Sequence, residues 1–323
     1  MLGYILRRVI MSLPVIFIVI TIIFFVVDLM PGDAIDMLIT PDQSVPASGL
    51  QLMRENKGLD DPGYVKYFKW LSNVVQGDFG RSLISNVPVM DRIQERIGPT
   101  FLLMGTGILL GIGIAIPVGI FSALKQYSIY DYAVTIIAFI VISIPAFFIG
   151  LGCIYFFSLK MNIFPVGGIQ PILGQVTIWS RLHHLALPMI VVSLPYISRY
   201  GRYTRSTMLE VVKEQYIQTA RAKGLSERVV IIKHALRNAL IPIITLFGMS
   251  FPWMLSGSVV IEKVFSWPGI GMLTIEALMA RDYPILIALN IIFAMLVVLG
   301  NLISDILYSL VDPRIRLGGE ASS

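Results

Sequence analysis

The chain has 323 residues, 56% of them apolar and 14% charged, where soluble domains carry about 25% charged residues. With a mean hydropathy of +0.79, that balance excludes an ordinary soluble domain and identifies an integral membrane protein. The formal charge of +5 would suit nucleic acid, but no nucleic-acid motif accompanies it, and in a membrane protein excess Lys and Arg first marks loops that stay in the cytoplasm.

The first apolar run, Val9 to Val27, follows Arg7 and Arg8. It is about 19 residues long, against 7 to 15 for a secretory signal, and no small-residue cleavage site follows, so it reads as a retained span. Beyond it, turn signals at Pro31-Gly32-Asp33, Asp60-Asp61-Pro62-Gly63 and Gln76 to Gly80 flank the amphipathic piece YVKYFKWLSNVV. They predict a small folded insertion over 30–99, either an inert cap or a substrate contact. Adding 9–29, spans are expected at 100–122, 133–157, 185–199, 239–261 and 284–308, six in an all-α membrane protein.

The second span carries Gly105, Gly107, Gly111, Gly113 and Gly119, small residues that let helix backbones approach closely. No Lys and Ser/Thr follow these glycines and no strand precedes them, so they are not a nucleotide loop. The third holds Pro145 and the single cysteine, Cys153, a small hydrophobe without a disulfide partner. The fourth is short, contains Pro188 and Pro195, and is expected to continue as a helix into the polar segment that follows. Pro242, Gly248, Pro252 and Gly257 make the fifth a kinked helix. Because broken helices in membranes line water-filled paths or are buried in protein, the fifth span, with Pro145 and the sixth span, is the candidate translocation path.

Placing the N-terminus inside leaves 14 Lys and Arg residues in the cytoplasm, nine of them between Arg199 and Arg237. The short outer loops hold only Lys160, Arg181, Lys263 and Arg281, so both termini are expected inside. The resulting units are 1–29, the extracytoplasmic 30–99, a core over 100–310 with a cytoplasmic region at 199–238, and a tail at 311–323.

Catalytic chemistry is not expected. His183, His184 and His234 have no metal-ligand spacing, one cysteine cannot build a thiolate cluster, and no nucleophile elbow is present. Asp28 and Asp305 read as the only acids near the spans, and both fall close to helix ends, within reach of water or headgroups. Without a central ionisable group, an evident inverted repeat or a Walker motif, any transport must draw its energy from another subunit. A self-contained ion-coupled carrier or channel, or a scaffold without transport, remains an alternative on these grounds.

The region RYGRYTRSTMLEVVKEQYIQTARAKGLSERVVIIKHALRN carries the punctuation of two helices. Glu214 to Lys223 favours helix, with acids early and bases late, and Gly224 follows where a left-handed cap is wanted. Ser226 and Glu227 start a second helix, with Leu225 and Val230 placed as a hydrophobic staple. Tyr216 and Ile217 offer apolar contact, and Ala220 and Ala222 permit close approach, as in a helix that seats in a partner's groove. A plain amphipathic helix on the membrane surface is the other reading.

Tyr216-Ile217-Gln218-Thr219-Ala220-Arg221-Ala222-Lys223-Gly224-Leu225, followed by His234 to Ala239, closely resembles the cytoplasmic signature of permease subunits of ATP-binding-cassette importers of the dipeptide and oligopeptide family. Matching pieces run along nearly the whole chain: Arg7-Arg8, Pro31-Gly32-Asp33, Gly77 to Gly80, Phe265-Ser266-Trp267-Pro268-Gly269, Arg281-Asp282-Tyr283-Pro284 and Asp312-Pro313-Arg314. The order is that of the first of the two permeases. The general importer motif reads Glu-Ala-Ala, three residues, Gly; here Gln218 and Thr219 depart from it, while Ala220 and Gly224 match. The resemblance implies the six-helix type I permease fold and a coupling role for Glu214 through Leu225. It further implies a second permease, two ATPases that carry the ATP and Mg, an extracytoplasmic binding protein, and a bacterial or archaeal plasma membrane. This chain would hold no cofactor. Peptide is the expected substrate, with glutathione, nickel chelates and oligosaccharides also carried by similar proteins.

Overall fold

In a computed structural model the long apolar runs among the described residues are helical. The structure describes residues 2–29, 61–256 and 258–311. Pro31-Gly32-Asp33, Gly257 and Asp312-Pro313-Arg314 lie outside the described residues, as does the first half of the expected insertion. No strand occurs among the described residues, only a bridge between Arg81 and Pro88.

Helix α1 (Leu2–Asp28) is followed by α2 (Gly63–Val75), α3 (Val89–Leu124), α4 (Ile129–Ser143) and α5 (Ala146–Cys153), the last continuing as a π-helix over Ile154–Lys160. Then come α6 (Ile178–Val211), α7 (Gln215–Ala222), and α8 (Glu227–Val229), which runs on as a π-helix over Val230–Leu236. Helices α9 (Arg237–Ser256), α10 (Val259–Val264), α11 (Ile270–Met279) and α12 (Tyr283–Val311) complete the described residues.

The central pair is α3 and α6, and the glycine stripe is why they can touch. A Cβ on Gly107 would stand 2.5 Å from Val192, one on Gly111 2.7 Å from Tyr196, and one on Gly119 2.6 Å from the Gly201 carbonyl. A Cβ on Gly113 or Gly105 would meet nothing within 4 Å, so the close approach uses three of the five glycines. Leu103, Ile108, Leu187 and Val191 fill the seam, and Phe265 and Trp267 close one end of it. Helix α1 stands apart, packed on α12 and α2 through Phe24, Tyr67 and Ile291. Helix α2 is pinned to α1 by a Lys66–Asp28 ion pair and a 2.7 Å contact between the Thr21 and Tyr67 hydroxyls.

Several boundaries differ from the sequence reading. The span expected at 133–157 is broken between α4 and α5, whose axes differ by 102°. Pro145 is the cause: the residue before a proline is driven out of the helical region, and Ile144 sits at φ −90°, ψ 129°. The second span starts earlier, at Val89, because Val89 and Ile93 already bury one face against α11 and α12. The fifth helix ends at Ser256 and not 261, since Ser258 caps α10 separately through the Ile261 N–H. It also bends by 40° around Pro242.

By length and composition three described helices can cross a membrane, or five if each bent pair counts as one span. The sixth long segment is α6, 34 residues and about 51 Å, which runs on into the polar region as expected. Thr177 and Ser180 cap its start reciprocally. Its apolar stretch is short because Arg199, Arg202 and Arg205 follow directly.

Candidate functional site

The segment after α6 folds back on the bundle as two short helices. Val211 and Glu214 make the turn, the Glu214 N–H donating to the Val211 carbonyl at 3.1 Å. Glu214 then sits in the extended region as the residue before α7, without a side-chain cap. Gly224 lies at φ +74°, in the left-handed region that closes a helix without a Cβ penalty. The Ser226 carbonyl accepts from the Val229 and Val230 N–H groups, so Ser226 starts α8 through its backbone and not its side chain.

What faces inward is now fixed. Ile217 is 0% exposed and Ala220 is 6% exposed, packed with Met208, Val230, Ala235 and Ala239 in a small core of this region's own. They are not available to a partner. The staple expected of Leu225 and Val230 differs in the same sense: Val230 is fully buried in that core, while Leu225 is 41% exposed. The Tyr216 hydroxyl accepts from Asn238 Nδ2 at 2.9 Å, and the same amide donates to the His234 carbonyl at 3.0 Å. Two separated pieces of the signature thus meet, tying α7 to the root of α9.

Outward, Glu214, Gln218, Thr219, Arg221, Ala222 and Lys223 are all exposed. Gln218 Nε2 donates to the Lys213 carbonyl at 3.3 Å and Thr219 Oγ1 to the Gln215 carbonyl at 2.9 Å. Arg221 bridges the turn to Glu227 with both Nε (3.1 Å) and a terminal nitrogen (2.6 Å). This hydrogen bond holds the Glu227 carboxyl below its ordinary value and raises Arg221. The result is a rigid two-helix knuckle with a small, polar, hydrogen-bonded outer face.

The candidate path residues are dispersed. Pro145 caps α5 at the 102° break. Pro242 is exposed on α9 at its bend, Gly248 is buried on the same helix, and Pro252 is helical there; Gly257 is outside the described residues. His184 Nδ1 lies 2.7 Å from the Ser180 carbonyl one turn earlier.

Three buried acids escaped the sequence reading, which looked to Asp28 and Asp305; the Asp305 side chain is outside those described. Asp131 is 3% exposed and receives Arg205 Nε and a terminal nitrogen at 2.6 and 2.8 Å, the Ser122 hydroxyl, and the Tyr127 N–H at 3.0 Å. Glu262 is 0% exposed, accepting from Thr100 Oγ1 at 2.7 Å and the Met272 N–H at 3.0 Å. Asp282 accepts from the Ser82 hydroxyl and, at 3.0 Å, from the Leu83 N–H. Asp282 stands inside the Arg281-Asp282-Tyr283-Pro284 piece, and Glu262 three residues before Phe265-Ser266-Trp267-Pro268-Gly269, so those motifs were the signal for two of them.

Comparisons with known proteins give a consistent picture. Residues 115–317 match the model of the binding-protein-dependent transport system inner membrane component, and residues 1–104 match the N-terminal model for such membrane components. The chain is 44% identical over 317 residues to the oligopeptide transport system permease protein AppB of Bacillus subtilis (strain 168), covering 98% of this chain and 100% of the relative. It is 37% identical over 316 residues to the glutathione transport system permease protein GsiC of Escherichia coli (strain K12), covering 98% and 99%. Among solved structures, an inward-facing MetNI methionine ABC transporter (CY5 native crystal form) aligns with a TM-score of 0.55 at 18% identity, over 69% of this chain and 97% of that one. This likeness gives the fold: the type I importer permease.

Proposed function

We propose, from the premise that this chain belongs to the family of binding-protein-dependent transport system inner membrane components, that it imports di- or oligopeptides as the first of two permeases. That it is a permease subunit of an ATP-binding-cassette importer, and not itself an enzyme, follows from family and relatives. In the proposed assembly a second permease completes the path, two ATPases on the cytoplasmic side supply ATP and Mg, and an outer binding protein delivers substrate. The knuckle of α7 and α8 lies inside, with both termini, in a bacterial or archaeal plasma membrane.

The observation that carries the coupling role is the split of α7. Ile217 and Ala220 lock it to the chain's own core, so force on the exposed Gln218, Thr219 and Ala222 face reaches α6 and α9 without slack. Closure of the ATPases would then tilt these helices largely as rigid bodies. Peptide is supported by the 44% identical oligopeptide permease, and glutathione, itself a short peptide, by the 37% identical one.

The test uses the importer assembled with its ATPase and binding-protein subunits. Ala222→Arg or Gln218→Arg is expected to abolish substrate-stimulated ATP hydrolysis while the permease stays inserted and monodisperse. Unchanged stimulation in both variants rejects the docking face. Uptake of labelled oligopeptides into vesicles, with none for glutathione, supports the peptide assignment, and the reverse rejects it.

A further inference from the structure

Arg199, Arg202 and Arg205 follow one another along α6 at three-residue spacing, directly after its apolar stretch. Arg205 is neutralised by Asp131 at 2.6 Å. Neither Arg199 nor Arg202 has an acidic partner among the described residues. Arg202 nonetheless leans on the bundle, its guanidinium 4.8 Å from the centre of the Phe139 ring on α4. Two unanswered positive charges therefore sit at a helix–helix groove, at the height where apolar surface gives way to polar.

The groove is polar at its mouth and apolar beyond it. On one side of Arg202 it runs between α4 and α6 past Thr135, Phe139, Ile142 and Pro195, with Tyr203 and Ser206 near Arg199. On the other side a cavity of about 210 Å³ opens between α3, α4 and α6, walled by Val118, Val134, Val141, Leu194 and Ile197. The adjoining face of α4 presents Ile136, Phe139, Ile140 and Ile142, each more than half exposed.

An occupant must answer two guanidinium groups and also cover apolar wall. A peptide needs partners for its backbone along its length, whereas the hydroxyls on the cavity wall, Ser122, Thr135 and Ser198, already donate within the bundle. An anionic phospholipid meets both demands: arginine binds phosphate oxygens bidentately, and basic pockets between membrane helices on the cytoplasmic side suit such head groups. We propose that Arg199 and Arg202 hold the phosphate of an anionic phospholipid whose acyl chain lies along the α4–α6 groove. The site rests on the proposed orientation only for which leaflet supplies the lipid.

The test is lipid retention by the full-length chain in detergent, read by native mass spectrometry after exchange with phosphatidylglycerol or phosphatidylcholine. Phosphatidylglycerol is expected to be retained preferentially. Arg199→Gln with Arg202→Gln should weaken that retention about thirtyfold, while Arg181→Gln at the opposite end of α6 leaves it unchanged. Val141→Trp, which fills the cavity with both arginines intact, should also lower it. Equal retention of the two lipids, or retention indifferent to the arginine pair, overturns the site. Displacement by inorganic phosphate alone reduces it to an anion contact and overturns the groove's part. Retention by the isolated chain that vanishes in the two-permease complex assigns the face to the second permease instead. None of these readings depends on ATP hydrolysis, so failure here and failure of the importer assignment are distinguishable.

Discussion

At the end of the bundle carrying α10 and α11, the buried carboxylates Glu262 and Asp282 take their hydrogen bonds from hydroxyls and backbone N–H groups. At the end carrying α7, Asp131 is as deeply buried but meets Arg205, and Glu227 meets Arg221 in the open. Neutral donors set direction and register: Thr100 Oγ1 donates to Glu262 and itself accepts from the Ile270 N–H at 2.7 Å, so α3, α10 and α11 lock as one piece, with Trp267 Nε1 donating to the Pro99 carbonyl at 2.8 Å. Ion pairs at the α7 end leave charge balance in the hands of single side chains. One end is a latch of fixed geometry, and the other is a set of replaceable electrostatic ties suited to a region that must transmit motion.

The largest expected effect lies at the charged end. Arg205→Ala leaves the Asp131 carboxylate with only the Ser122 hydroxyl and the Tyr127 N–H and should cost about 3 kcal/mol, seen as a large drop in the thermal unfolding midpoint in detergent. Arg205→Ala combined with Asp131→Asn should recover much of it. If the single variant melts like wild type, the contrast between the ends collapses. Glu262→Ala comes next, leaving Thr100 and the Met272 N–H without their acceptor, at about 2–3 kcal/mol. Glu262→Gln keeps the shape and one acceptor oxygen, and should lose less. Ser82→Ala removes one donor to Asp282 and should cost about 1 kcal/mol; a larger loss than for Glu262→Ala would place the latch around Asp282.

Local pattern carried much of this architecture. The spans, the glycines that admit α6 against α3, and the left-handed turn at Gly224 are all set by residues within a few positions of one another. The buried acids are different, since Asp131, Glu262 and Asp282 meet partners 74, 162 and 200 residues away. Helical periodicity put Ile217 and Ala220 close together on α7 but could not say that the chain's own Met208 and Val230 would cover them. Likewise Pro145 announced a break, while its 102° depends on where α5 packs against α10.

The smallest effect tests whether the exposed tie at the α7 end differs from the buried one. The Arg221 hydrogen bond depresses the Glu227 carboxyl, so stability rises with pH across the window where the unfolded chain would still bind a proton and the folded one would not. The contribution is present above the unfolded carboxylate range of about 4.3 and fades as pH falls through the lower folded value. Glu227→Gln should therefore melt slightly below wild type at neutral pH, and the two curves should converge on acidification. Because Glu227 is open to water, added salt should narrow the gap in the same way, whereas the Arg205→Ala deficit should persist in high salt. A Glu227→Gln deficit that is independent of both pH and salt would mean that the side chain holds the turn by packing alone, and the charge on that face would then be free to serve a partner.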